Sequence, residues 1–552
     1  MNKSILLFLF SVFIAGAHAQ TLHTPKPLTH ADTLRGSNGL YRQKWNVLHY
    51  EITVEPDFQT KTITGKNVMK FFDSGAKMMQ VDLQEPLIID SIINYEVPLK
   101  FSREGNVYWV MLRDTAAMYK IKPAENQITI YYHGKPVEAI RPPWDGGWIW
   151  KKDKSGNPWM SAACQGLGAS VWYPCKDIQS DEPDSGAVLN IIVPDSLMAV
   201  GNGRQQPSKK LGNKTQYTWK VINPINNYNI IPYIGKYVHF GETYAGEKGK
   251  LDMDYWVLDY NLDKAKKQFL DAPKMMKAFE HWFGPYPFYS DGFKLVESPH
   301  LGMEHQSAIA YGNNYQNGFY GKDLSNSGWG MKWDFIVVHE SGHEWFANNI
   351  TTNDIADMWV HEGFTNYSET LFTDYFWGKA AGDAYVQGIR ANISNDIPII
   401  GKYGVNKEGS GDMYYKAGNM LHMIRTVIND DAKFRAILRG LNQTFYHQTV
   451  NSSDVEKYIS DKSSINFSKV FDQYLRTIQI PELQFRQKGT TIECRWANCI
   501  EGFDVPVRIE TKKGKFTWVK PTTEFKIIKV KGLSLQEIRA DKNFYITSKV
   551  VQ

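Results

Sequence analysis

The segment His339-Glu340-Ser341-Gly342-His343, followed by Glu362 after eighteen intervening residues, carries the clearest chemistry in this chain. Residues four apart share one face of a helix, so His339 and His343 can present two imidazole nitrogens to a single metal ion. Glu340 is rotated from that pair yet stays beside the metal, where it can take a proton from an activated water. Glu362 would be the third ligand, leaving a fourth tetrahedral position for water and substrate. The set predicts one zinc ion per chain and a hydrolytic reaction.

The flanking residues argue for burial. Trp333, Phe335, Ile336, Val337 and Val338 lead into the pentad, and Trp345 and Phe346 follow it. Burying two histidines and two glutamates without a partner is costly, and a metal ion removes that cost. A metzincin would need Gly and His at fixed offsets beyond the second histidine. Phe346 and Asn349 stand there instead, so a carboxylate from a nearby helix is the better third ligand.

The stretch Trp359-Val360-His361-Glu362-Gly363-Phe364-Thr365-Asn366-Tyr367-Ser368-Glu369 resembles the W-L-N-E-G-F-A-x-Y-x-E helix of the aminopeptidase N and leukotriene hydrolase family, a group of gluzincin zinc aminopeptidases. The eighteen-residue spacing is shared, and His361 replaces the family's Asn. His300-Leu301-Gly302-Met303-Glu304-His305 is similar to the family's G-x-M-E-N motif, with Leu301 in the Gly place and His305 in the Asn place. This resemblance implies that Glu304 holds the free α-amino group of a substrate. Met413-Tyr414-Tyr415-Lys416-Ala417-Gly418 is similar to the Y-x-K-G segment, which implies that Tyr414, rather than its neighbour Tyr415, donates a hydrogen bond to the oxyanion. Cys164-Gln165-Gly166 and Tyr173-Pro174-Cys175-Lys176-Asp177 resemble the Q-containing and P-C-x-D segments, which implies a place for Gln165 near the substrate amine. Leu48-His49-Tyr50-Glu51-Ile52-Thr53-Val54 resembles the opening strand of the family's N-terminal domain, so the likeness runs from about Tyr41 to about Leu483. Glu344 and Glu369 read equally as partners of the metal histidines or as surface salt bridges.

The elements that must position these residues follow from periodicity. Short β-rich runs such as 62–71, 127–132 and 188–193 fill the first half, punctuated by Gly, Pro and Asn. From residue 263 the period becomes helical, over 263–283, 332–349, 363–375, 416–429 and 467–477. Alternation returns after Pro481, as in 517–520 and 525–530. The predicted fold class is α+β and multidomain: a signal peptide at 1–19, a β-rich domain at 20–257, a helical, thermolysin-like zinc peptidase domain at 258–481, and a short β-sandwich-like module at 482–552. The family's large helical roof domain has no counterpart in the roughly seventy residues after Pro481. An open cleft or a covering second subunit, hence a homo-oligomer, are the two expectations.

Met1-Asn2-Lys3 is a basic opening, residues 4–15 are apolar but too few to span a bilayer, and Ala17-His18-Ala19 offers a cleavage site. Export to a periplasm or the exterior is predicted, with no membrane span in the remainder. In that compartment Cys494–Cys499 could staple a hairpin loop, and Cys164–Cys175 could bridge the Gln165 segment, although the resemblance also allows a free thiol at Cys175. The formal charge of +5 argues against a nucleic-acid partner. Trp144, Trp148, Trp150 and Trp159 cluster just before Gln165 and read either as a cleft wall or as loop packing. The residues and the resemblance together point to an exported zinc aminopeptidase acting on peptides with a free N-terminus. The competing readings are an endopeptidase or epoxide hydrolase on the same site, and an inactive binding protein on the same fold.

Overall fold

The computed structural model describes residues 27–112, 125–164, 166–512, 514–529 and 534–552, so the predicted signal peptide and Gln165 lie outside the described residues. The first half is built on an eight-stranded sheet whose centre is the antiparallel pair Trp45–Asp57 and Thr62–Asp73. Val47, Tyr50, Ile52 and Val54 are fully buried along the first of these strands. Ile63, Met69 and Phe71 meet them from the second, the period-two pattern of a sheet with one face on a core. Ala187–Pro194 runs parallel to Trp45–Asp57, and Glu125–Gly134 flanks the other side.

A five-stranded sheet links the two halves. Tyr237–Gly246 and Gly249–Leu258 form a hairpin that continues in parallel to Phe293–Glu297 and Ile309–Tyr311, so strands on both sides of residue 258 are hydrogen-bonded. Its edge strand is Gly302–Met303, which delivers Glu304 to the cleft. The helices that follow pack around two elements carrying the metal motif, Phe335–Gly342 and Trp359–Trp377. Trp345, Trp359 and Leu371 are fully buried in this core. The tail is two small sheets, with Leu483, Trp496, Val507 and Ile509 buried between them, in agreement with the predicted β-sandwich-like module.

Three expected elements differ. The 263–283 helix is two helices, Leu262–Gln268 and Asp271–Phe283. Pro273 would clash with the Phe269 carbonyl in a continuous helix, whereas in the first turn of a new one its missing N–H costs nothing. The 332–349 helix is shorter: its regular part is Phe335–Gly342, capped by the Asp334 carboxylate accepting from the Ile336 and Val337 amides. Of the 525–530 strand, Lys526–Ile527 is extended and paired, and Val530 lies outside the described residues. All four cysteines are free thiols here, which corrects the disulfide expectations. Cys494 faces the tail core at 2% exposure, directed by the same alternation that buries Trp496.

An N-terminal strap precedes the first strand, with helices at His30–Gly36 and Leu40–Gln43. Its anchor is Arg42, which is fully buried. The guanidinium donates to the carbonyls of Leu34, Arg35 and Ser37, to the Asp82 carboxylate and to the Asp177 carbonyl. These bonds engage both terminal nitrogens and offset the cost of holding the cation out of water.

Candidate active site

His339, His343 and Glu362 offer ligand atoms that all lie within 4.8 Å of one another, and all three residues are buried. Glu362 Oε2 stands 3.3 Å from His343 Nε2 and 3.8 Å from His339 Nε2, and it has no hydrogen-bond partner. Each imidazole presents Nε2 because its other nitrogen is committed. His339 Nδ1 lies 2.7 Å from Glu369 Oε1, and His343 Nδ1 lies 3.1 Å from the Phe346 carbonyl. An Nδ1–H donated outward leaves two Nε2 lone pairs and a carboxylate oxygen converging on one point. Three such atoms from buried side chains fit a cation, and their N/N/O chemistry fits zinc.

The charges agree. Burial pulls the His343 imidazole down, but the Glu362 carboxylate drives its pKa up to about 9. His339 is likewise held well above its ordinary value, with burial overcome by Glu362 and Glu369. Glu362 is lowered, the two imidazoles outweighing its burial. The field inside this site favours positive charge.

The local fold explains the aim of His343. Beyond it the chain leaves helical geometry at Phe346 (φ −128°, ψ 86°) and Ala347 (φ 147°, ψ −54°). The departure turns the Phe346 carbonyl back to His343, at the cost of a backbone conformation rarely held by a residue with a side chain. Glu369, two turns beyond Glu362 on the same helix, is fully buried and accepts also from Tyr385 at 2.6 Å and from Asn366. It is a partner of a metal-motif histidine, not a surface salt bridge. Glu344 is neither: it accepts from the Ser307 amide and Tyr286 hydroxyl, and burial raises its pKa to about 8. Replacing Glu369 by Ala is expected to weaken zinc binding about 10–100-fold, measured by chelator competition, with the metal-motif residues intact. An unchanged zinc affinity would refute its orienting role.

Glu340 shares a second cluster with Glu304 and His343, again with atoms within 4.8 Å. Burial, with the charges of Glu304 and Glu362 added and those of His339 and His343 opposing, raises its pKa to about 7. Gly302 gives it room: a Cβ there would stand 2.6 Å from Glu340 Oε1. Glu304 accepts from the Tyr228 hydroxyl at 3.1 Å, and its carbonyl accepts from Asn348 Nδ2 at 2.8 Å. His305 is fully buried against the Tyr233 hydroxyl, and burial holds it well below its ordinary pKa, so it brings no charge to Glu304. His361 is also neutral, its Nε2 accepting from the Thr352 amide at 2.9 Å.

Tyr414 sits at the start of the Tyr415–Ile428 helix and lays its ring 6.1 Å from that of His339, with 24° between planes. Burial and the Glu362 carboxylate faced by its hydroxyl keep the phenol protonated. Tyr415 also lines the cleft, at 6.3 Å from Tyr414 between ring centres. The cleft has a volume of about 360 Å³. Of the tryptophan cluster, Trp144 alone lines it, 63% exposed, whereas Trp148 and Trp150 are packed in the β-domain core. Tyr228 and Asn348 carried no motif spacing of their own. Only the structure brings them to the site.

The two-histidine, one-glutamate cluster that could hold a metal ion thus sits on two buried helices. Residues 268–474 match the Peptidase family M1 domain. It is 21% identical over 384 residues to the leukotriene A-4 hydrolase of Xenopus laevis, covering 64% of this chain and 60% of that protein. It is 19% identical over 495 residues to the probable aminopeptidase 2 of Sulfurisphaera tokodaii, covering 85% and 59%. The chain thus spans about three fifths of these relatives. Among solved structures, an M1 zinc metallopeptidase from Deinococcus radiodurans aligns over 80% of this chain and 96% of its own, with a TM-score of 0.62 and 17% identity. That likeness establishes the fold. Among the described residues, no helix is long and apolar enough to cross a membrane.

Proposed function

We propose that this chain is an exported zinc aminopeptidase that releases N-terminal residues from peptides. The domains we assign are 20–257, 258–481 and 482–552, after a signal peptide at 1–19. His339, His343 and Glu362 would hold one zinc ion, which when bound would polarise the scissile carbonyl and acidify water. Glu340 takes the proton of the attacking water and returns it to the leaving amine. Tyr414 donates to the developing oxyanion, and Glu304, with Gln165, pairs with the substrate α-ammonium.

One observation carries the exopeptidase assignment. Glu304 lies within 4.8 Å of His343 and Glu340 atoms. One residue of extended chain spans about 3.3–3.6 Å, so a peptide anchored by its ammonium on Glu304 has only its first carbonyl at the metal-facing end of the cleft. The test is a panel of aminoacyl fluorogenic amides, each with its N-acetylated twin, run on zinc-loaded and chelator-treated protein. Zinc near one per chain, chelator-sensitive cleavage of the free amides and silence toward the acetylated ones are the expected results. Equal cleavage of both series would favour an endopeptidase.

The two tyrosines separate in the same assay. Tyr414→Phe is expected to lower kcat by about 10²–10³ with little change in KM, because its bond to the oxyanion forms in the transition state. Tyr415→Phe should be much milder, and the reverse ranking would assign the role to Tyr415.

A further inference from the structure

Met303 and Glu304 line two cavities. One is the cleft over His339, His343 and Glu362; the other, about 90 Å³, lies beyond Glu304. Among the described residues, none of 482–552 lines either. Arg35 and Gly36 of the N-terminal strap line the second cavity, together with Asn406 and Glu408.

Three segments distant in sequence are tied together there. Arg35 Nη1 donates to the Gly166 carbonyl at 2.8 Å, and Asn406 Nδ2 reaches the same oxygen at 3.4 Å. The Asn406 amide donates to the Asp32 carbonyl at 3.1 Å. Gly36 is pressed on the loop so closely that a Cβ would stand 2.1 Å from the Val405 carbonyl carbon and 2.2 Å from the Asn406 nitrogen. Only bare backbone fits. Arg42 then locks the strap to Asp177, whose own carboxylate is occupied by the Ala169 and Ser170 amides and the Ser170 hydroxyl.

We propose that this strap, through Arg35 and Gly36, forms the end wall of the pocket for a peptide's first side chain and restricts cleavage to small first residues. The inference rests on the aminopeptidase reading. With the ammonium on Glu304 and the first carbonyl over the metal motif, the side chain leaves from the carbon between them. The cavity that shares Glu304 with the cleft is the space it enters. A cavity of about 150 Å³ accepts benzene; at about 90 Å³ this one matches the side chain of Ala, Ser or Val better than that of Phe. Arg35 and Glu408 bring opposite charges to the lining, Asp177 is taken up by Ala169 and Ser170, and Glu304 is engaged by the ammonium, so size rather than charge decides.

The test compares kcat/KM for Ala and Phe amides in the full-length parent, Arg35→Ala and Gly36→Val. Arg35→Ala empties the wall without crowding the strap, and Gly36→Val wedges the strap off residues 405–406, so agreement between them separates loss of the wall from local misfolding. The parent should prefer Ala by about tenfold or more, and both variants should shrink that ratio about tenfold, a size usual for pocket discrimination of apolar groups. A parent that cleaves both amides with a ratio unmoved in both variants overturns the strap alone. A parent that cleaves other free aminoacyl amides but neither of these overturns the small-residue pocket, and one that cleaves none of the panel overturns the aminopeptidase reading with it.

Discussion

Glu340→Gln is expected to bind zinc as the parent does and to lose about 10²–10⁴ in kcat, the range contributed by a positioned general base. The substitution preserves shape, so the new carboxamide would still fill the space left by Gly302 and would not disturb His339, His343 or Glu362, whose atoms converge without it. What it removes is the basicity of the carboxylate, since a carboxamide oxygen does not take up a proton near neutral pH. The pH profile checks the assignment independently. Burial, chiefly, raises the Glu340 pKa to about 7. Since the working form of the base is the carboxylate, kcat/KM must fall as pH falls through that pKa, and a bound cation moves this limb toward lower pH. The residual activity of Glu340→Gln should lack the limb. A fully active variant, or one that keeps the limb, would remove Glu340 from the mechanism.

Much of this site was legible because its chemistry is written in short, helical spacing. His339 and His343 lie four apart on one helix, Glu362 and Glu369 lie seven apart on another, and both helices are flagged by apolar flanks. The paired carboxylate Glu369 was harder. Sequence cannot distinguish a glutamate that reaches across 2.7 Å to His339 from one that reaches into solvent, because the distinction depends on how two helices cross. The tail and the central strands of the β-domain followed from alternation. The break at Pro273 and the kink at Phe346 did not follow from periodicity, which stays helical across both. In the first case a ring clash overrides it, in the second a carbonyl recruited by His343. The strap residues were beyond reach for a different reason. Arg35 and Gly36 matter through contacts with residues about 130 and 370 positions away, and no local pattern marks them.

Acetylating the substrate and replacing Glu304 by Ala should each cost a factor of roughly 30 to several thousand in kcat/KM, and the two losses should not add. Glu304 is 6% exposed, so its carboxylate has little water to fall back on. It accepts one hydrogen bond, from Tyr228, which leaves its second oxygen to meet an ammonium. Removing one partner of such a desolvated pair typically costs about 2–5 kcal/mol. An acetamide brings no charge and adds bulk, and alanine brings no carboxylate; both delete the same contact, so a double-mutant cycle closes with a coupling about as large as either single loss. The neighbouring His305 could have offset this by carrying a positive charge into the pocket. Its burial against Tyr233 keeps it neutral, so Glu304 alone sets the charge preference at that point. Losses that add, or N-acetylated peptides cut as fast as free ones, would place the substrate ammonium elsewhere and move the endopeptidase reading to the front.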